Sequence, residues 1–322
     1  MKKILHFIFL FFLIFSGGQQ ENVKKLKINY KNTVANCIIL SKQGDQEKKK
    51  PLLFFCQGSM ARPLKIIADD ASYPLLPFDS NILLEKYHIV MVSKPGIPLE
   101  ENIKNLKEDY TYPKEGLPPK EYILNNNLDY YYKRNNFVLK ELYKQPWADP
   151  EKTVAAGHSE GSYIALEMAV HNKKISHLIY SGGNPLGRMM SIIHQTRQNP
   201  KEEEIWHTEN LDFWRETVAN KDKTAYDKEN TSYYNYSLSQ DFTNDLLRLK
   251  IPVLVTYGTK DQNGIFNDYL NVLTIKGGKN NFIFKSYFNC DHNFFPVDKN
   301  LKPNYDVDNW NEVAKFWSRW LQ

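Results

Sequence analysis

Thr153-Val154-Ala155-Ala156-Gly157-His158-Ser159-Glu160-Gly161 is the stretch on which the fold turns. A short apolar run climbs to Gly157, a serine stands between two glycines, and Ser162-Tyr163-Ile164-Ala165-Leu166-Glu167-Met168 continues with helical character. The pattern is G-x-S-x-G in a strand–turn–helix setting. Glycines are needed there because strand and helix approach so closely that side chains would collide. The serine is left strained, with its hydroxyl exposed above the sheet. The bland alternative is a β–α turn with a surface serine, and the two readings part on whether a base and an acid follow at later strand ends.

Toward the N-terminus, Pro51-Leu52-Leu53-Phe54-Phe55-Cys56 and Tyr87-His88-Ile89-Val90-Met91-Val92 are continuous apolar runs, as expected of strands buried on both faces of a parallel sheet. The first ends in Gln57-Gly58-Ser59-Met60 and the second in Ser93-Lys94-Pro95-Gly96. Val23–Tyr30 and Val34–Leu40 read as a hairpin joined at Lys31-Asn32-Thr33. Residues 95–120 are rich in Pro, Lys and Glu and define no core element. Glu121–Lys144 reads as one helix whose buried face is Leu128, Tyr131, Asn135, Val138 and Leu142.

Toward the C-terminus, Ile175–Tyr180, Ile251–Gly258 and Asn281–Tyr287 read as strands, and Asp308–Leu321 as an amphipathic closing helix. Between Leu186 and Lys250 there is no buried-strand pattern. Trp206, Phe213, Trp214, Tyr233, Tyr234 and Tyr236 are scattered through polar, helix-compatible sequence, which is expected to form a helical lid inserted at about 186–250. Strands alternating with helices imply an α/β domain with a mostly parallel central sheet flanked by helices. Ligands of such sheets bind at the carboxyl ends of strands.

Met1–Gly18 has the form of a secretory leader: Lys2 and Lys3, the apolar run Ile4–Phe15, then small residues Ser16 and Gly18. That run is 12 residues, and a membrane span needs ~20. The expectation is therefore residues 1–18 as a signal peptide, 19–322 as the folded domain, an exported protein, and no stable membrane span after cleavage. The net charge of +5, two of it from Lys2 and Lys3, and the lack of a basic tract argue against nucleic acid as a partner. Cys37, Cys56 and Cys290 permit at most one disulfide and form no framework. Neither CxxC nor HExxH occurs, and the histidines lack ligand spacing, so no metal and no cofactor is expected.

A serine hydroxyl needs an adjacent base. Of eight histidines, His6 lies in the leader, His88 within a strand and His158 beside Ser159. His171, His177, His194 and His207 precede the last two strands, and only His292 follows the final one. An acid must orient that base. Asp261, three residues past Gly258, is placed for it, whereas Asp241 and Asp245 in the inserted segment are poorly placed. The order Ser159, Asp261, His292 is that of the α/β-hydrolase triad.

On the elbow Gly157-His158-Ser159-Glu160-Gly161, with Tyr257-Gly258-Thr259-Lys260-Asp261 and Asp291-His292, the chain resembles the α/β-hydrolase superfamily from about Val23 to its end. The resemblance implies an oxyanion hole made by the backbone N–H of Glu160 and a second N–H, Ser59 or Met60, from the Gln57–Met60 loop. Gln57 stands where His is common, which leaves a backbone hole intact. It implies a serine hydrolase working through an acyl-enzyme. A serine at the nucleophile position argues against haloalkane dehalogenase and epoxide hydrolase chemistry. The extent of the chain argues against the oligopeptidase branch, and the polar, aromatic insertion against a triglyceride lipase. The expected substrate is a small carboxylic ester. The second choice is a peptide-like amide whose amine meets Glu202–Glu204, and the alternative of another class is a non-catalytic binding protein.

Overall fold

The computed structural model describes residues 22–69, 71–198, 206–223 and 228–322. The expected leader, 1–18, and Glu202–Glu204 lie outside the described residues.

The hairpin forms from β1 (Asn22–Tyr30) and β2 (Thr33–Ser41), with Lys31 taking the positive φ of 52° that a two-residue connection demands. β3 (Lys50–Cys56) follows and is buried from Leu52 onward. Three-residue strands β4 (Lys65–Ile67) and β5 (Ser72–Pro74) come next, then a one-turn helix α1 (Asn81–Leu84). β6 (His88–Val92) is buried throughout, its His88 satisfied by Ser41 Oγ and the Lys48 carbonyl at 2.9 Å each.

The stretch 95–120 departs from expectation. β7 (Glu100–Asn102) pairs with β4, which pairs with β5, making a small second sheet. Three-residue strands are too short to carry an alternation signal. The single helix expected over Glu121–Lys144 is also two: α2 (Lys120–Asn125) and α3 (Leu128–Leu142). Asn126 caps the end of α2 and Asn127 the start of α3: the Asn127 side chain accepts from Tyr130 N at 2.9 Å, and Asn126 Oδ1 accepts from the Tyr131 hydroxyl at 2.7 Å. The buried face of α3 is the expected one.

β8 (Ala148–His158), α4 (Glu160–His171), β9 (Ile175–Ser181), α5 (Arg188–Arg197), β10 (Val253–Gly258) and β11 (Phe282–Tyr287) complete the alternation. The main sheet runs β1-β2-β6-β3-β8-β9-β10-β11, antiparallel at β1/β2 and β2/β6 and parallel from β6 onward. Apolar clusters cover both faces, one built on α3 and α4, the other on the last helix, Trp310–Trp320, whose Trp310, Val313 and Trp317 are buried. This is the α/β-hydrolase architecture.

Register does the positioning. Cys56 pairs with Gly157, His158 with Ser181, and Gly258 with Tyr287, so the loops after these strands emerge side by side at one edge. The described parts of 186–250 contain helices and no strand: α5, then Leu211–Asn220, Ser232–Ser237 and Thr243–Arg248. No helix among the described residues is long and apolar enough to cross a membrane.

Candidate active site

Ser159 sits between the end of β8 and the first residue of α4 with φ 57° and ψ −126°. A side-chain-bearing residue pays for such a conformation, and the surroundings enforce it. Its N–H donates to Ser181 O at 2.9 Å, and its carbonyl accepts from Ser162 N at 3.0 Å and Ser162 Oγ at 2.6 Å. The flanking glycines are steric necessities: a Cβ on Gly157 would overlap the Gly161 carbonyl, and one on Gly161 would overlap that of Cys56.

Asp261 and His292 meet directly. Asp261 lies in the loop after β10, and its Oδ2 is 2.9 Å from His292 Nδ1, while its Oδ1 accepts from Asn263 N at 2.8 Å. Both side chains are buried. Asn263 Nδ2 donates to Gly182 O at 2.8 Å and ties the acid loop to the end of β9. Asp291 shapes the turn carrying His292, its Oδ1 accepting from the N–H groups of Asn293 and Phe295 at 2.9 Å each. Burial pushes the His292 imidazolium toward deprotonation, but the charge and hydrogen bond of Asp261, with help from Asp291, outweigh it and hold the pKa above the ordinary 6.5.

His292 is brought to the elbow through His158, the residue before Ser159: the two imidazoles are 4.8 Å apart between centroids. His158 also packs on Phe294 and Trp310, its Nδ1 is 3.0 Å from Ser181 Oγ, and burial holds its pKa far below normal, so it is a neutral packing residue. Asp241 and Asp245 are occupied elsewhere, the first accepting from Thr243 N at 2.9 Å and the second pairing with Arg248 at 2.9 Å. All three cysteines are free and buried.

Ser59 and Met60 follow β3, in the loop whose Gln57 carbonyl lies against Gly161 of the elbow. Gln57 Nε2 donates to Val92 O at 3.0 Å and pins that loop to β6. Sequence reasoning missed what holds it from above. Lys94, fully buried, donates to Ser59 O at 3.2 Å and to Glu160 Oε1 at 2.7 Å. Tyr122 on α2 also donates to Ser59 O, at 3.2 Å, and Tyr234 donates to Glu160 Oε2 at 2.6 Å. The Glu160 side chain therefore does more than the backbone role expected of that residue: its carboxylate ties the elbow to the neighbouring loop. Burial lowers the Lys94 pKa, and Glu160 pulls it back.

Breaking a buried ion pair costs about 3–5 kcal/mol because one charge is stranded, whereas removing both can be near neutral. Lys94→Met is therefore expected to cost about that much in denaturant unfolding. Lys94→Met combined with Glu160→Gln should recover most of it; additive losses would show that the two groups do not interact.

Within 186–250, the Ser232–Ser237 helix is anchored to the elbow through Tyr234. α5 reaches the acid loop, where His194 Nδ1 lies 2.6 Å from Gln262 O. Residues of 186–250 thus touch both the residue after Ser159 and the acid loop.

Comparison with known proteins places this geometry in context. The model of the prolyl oligopeptidase family matches residues 136–322. No curated protein matches the chain. Among solved structures, dipeptidyl peptidase 4 from Porphyromonas gingivalis superposes with TM-score 0.56 at 12% identity, covering 94% of this chain and 35% of its own. Pyrococcus horikoshii acylaminoacyl peptidase gives 0.51 at 15% identity, over 87% of this chain and 39% of its own. A fungal esterase from Rhizomucor miehei gives 0.52 at 12% identity, over 94% and 83% respectively. At these identities the likeness is one of fold. The chain spans little more than a third of the two peptidases' length.

Proposed function

Because the chain belongs to the prolyl oligopeptidase family, we propose that it is a serine hydrolase in which Ser159, His292 and Asp261 act as nucleophile, base and orienting acid. Family membership overturns the expectation, drawn from the extent of the chain, that it stands outside the oligopeptidase branch. The observation that carries the reading is the strained Ser159 at the end of β8 with the Asp261–His292 pair at the same edge of the sheet.

In this reading Ser159 Oγ attacks the acyl carbonyl as His292 takes its proton, and Asp261 keeps His292 in the tautomer that presents Nε2. The negative oxygen of the tetrahedral intermediate rests on the backbone N–H of Glu160 and on that of Ser59 or Met60. Lys94 and Tyr122 fix the loop supplying the second donor. His292 then protonates the leaving alcohol or amine, and water clears the acyl-enzyme by the same route.

The first substrate class is a small carboxylic ester. Family membership favours a second reading, cleavage of a peptide-like amide, equally well served by this machinery. Assaying a set of nitrophenyl esters beside the matching aminoacyl nitroanilides separates them: kcat/KM is expected to be higher on the esters, and efficient turnover of nitroanilides alone would make the protein a peptidase. A non-catalytic binding role would leave both sets untouched. The leader reading of residues 1–18 gives an exported enzyme. Protein purified from expressing cells should then begin at Gln19, and an intact Met1 would contradict export by that leader.

A further inference from the structure

Arg188 opens α5, immediately after the loop that follows β9. Its backbone is pinned: Arg188 N donates to Leu238 O at 2.8 Å and Met189 N to Ser239 Oγ at 3.1 Å. Gly187, at φ 82°, makes the sharp entry, and a Cβ there would press on the Ser239–Gln240 backbone. The guanidinium carbon lies 5.4 Å from the Tyr234 ring centroid. Its Nε is buried without a hydrogen-bond partner, and among the described residues no hydrogen bond or ion pair engages the rest of the group. Arg188 is partly exposed, so the terminal nitrogens of its fork reach solvent and are open to a ligand, while the ring of Tyr234 holds one face of the group.

Its surroundings locate it. The groups acting most strongly on its charge are Tyr234, Glu160, Tyr163 and Tyr122. Glu160 adjoins Ser159, and Tyr163 lies one turn further along α4 with its hydroxyl accepting from Asn184 N at 3.2 Å. Tyr122 holds the candidate oxyanion loop. Tyr234 links Arg188 to the elbow: its ring faces the guanidinium and its hydroxyl donates to Glu160 Oε2 at 2.6 Å. The Glu160 carboxylate is engaged by Lys94 at 2.7 Å and by the Tyr234 hydroxyl at 2.6 Å, and no ion pair joins it to Arg188.

We propose that Arg188 is a specificity residue that receives a carboxylate carried on the acyl part of the substrate, so that the enzyme prefers esters or amides of dicarboxylic acids. The inference rests on the serine-hydrolase reading above and deepens it. A bidentate guanidinium–carboxylate contact both orients the acyl chain and rejects uncharged chains, which leave the fork unpaired.

The test compares 4-nitrophenyl monoesters of adipic and suberic acid with the hexanoate and octanoate esters of equal length, on wild type, Arg188→Gln and Arg188→Lys. The ratio of kcat/KM, acidic over neutral, is expected to exceed one in wild type. It should fall about tenfold or more in Arg188→Gln and lie between the two in Arg188→Lys. Because a ratio is read, a general loss of activity cancels. An unchanged ratio in Arg188→Gln, or a wild-type preference for the neutral esters, overturns the proposal. Calorimetric binding of adipate to Ser159→Ala, with and without Arg188→Gln, needs no turnover. A Kd raised about tenfold supports the site and an equal Kd overturns it, so absence of ester hydrolysis would count against the proposed reaction alone.

Discussion

Ser159→Ala is expected to lower kcat on a nitrophenyl ester by ~10³ or more while leaving the unfolding transition where it was. The expectation has two parts because the residue has two roles. Its hydroxyl is the proposed nucleophile, and nothing else in the elbow can replace it. Its backbone, at φ 57°, is held by Ser181, Ser162 and the close approach of Gly157 to Gly161, contacts that an alanine retains. A large loss of turnover without a loss of stability therefore isolates the hydroxyl. Retained turnover would move the chemistry away from the elbow.

The second large effect is at Asp261. A histidine base works only when uncharged, so activity climbs as pH rises through its pKa. Asp261 holds that pKa above the ordinary 6.5 despite burial. The acid limb of kcat/KM should accordingly lie above that value in wild type. Asp261→Asn removes the charge that raises the pKa and lets burial dominate, so the limb should shift to lower pH. Turnover on the plateau should fall by roughly 10³–10⁴, because the neutral amide no longer fixes the tautomer or stabilises the imidazolium. A plateau loss without any shift of the limb would mean that another group sets the His292 pKa. A profile flat from about pH 5 to 9 would contradict a histidine base altogether.

What was legible in the sequence is what chemistry and backbone geometry demand together. A serine needing two glycines, an acid just past a strand ending in glycine, and a histidine after the final strand are tied to the ends of apolar runs, and those runs are visible. Lys94 was not legible as a site residue although it also follows a buried strand, because a lysine in a loop ordinarily faces water and only the folded chain shows Glu160 opposite it. Arg188 and Tyr234 were hidden for a related reason. They come from an insertion without strong periodicity, and their meaning lies in contacts across about 30 to 75 positions, such as Tyr234 to Glu160. The helix break at Asn126-Asn127 had a local signature in three consecutive asparagines, overridden by the apolar spacing on either side. The oligopeptidase branch was set aside on the extent of the chain, which bears on neighbouring domains and says nothing of how Ser159 is built.

Tyr234 joins the elbow to the proposed specificity residue. Tyr234 reaches both the elbow carboxylate and the face of Arg188, so a change in that helix would act on the nucleophile and on the proposed acyl-carboxylate contact at once.

The central claim is that Ser159 is activated by the Asp261–His292 pair, and the most direct measurement is the rate and position of labelling by a fluorophosphonate probe, mapped by mass spectrometry. Wild type is expected to take one label, on Ser159, faster as pH rises. Ser159→Ala should take none, and His292→Ala should label more slowly by orders of magnitude. Labelling of a different serine, or equal rates in wild type and His292→Ala, would contradict it.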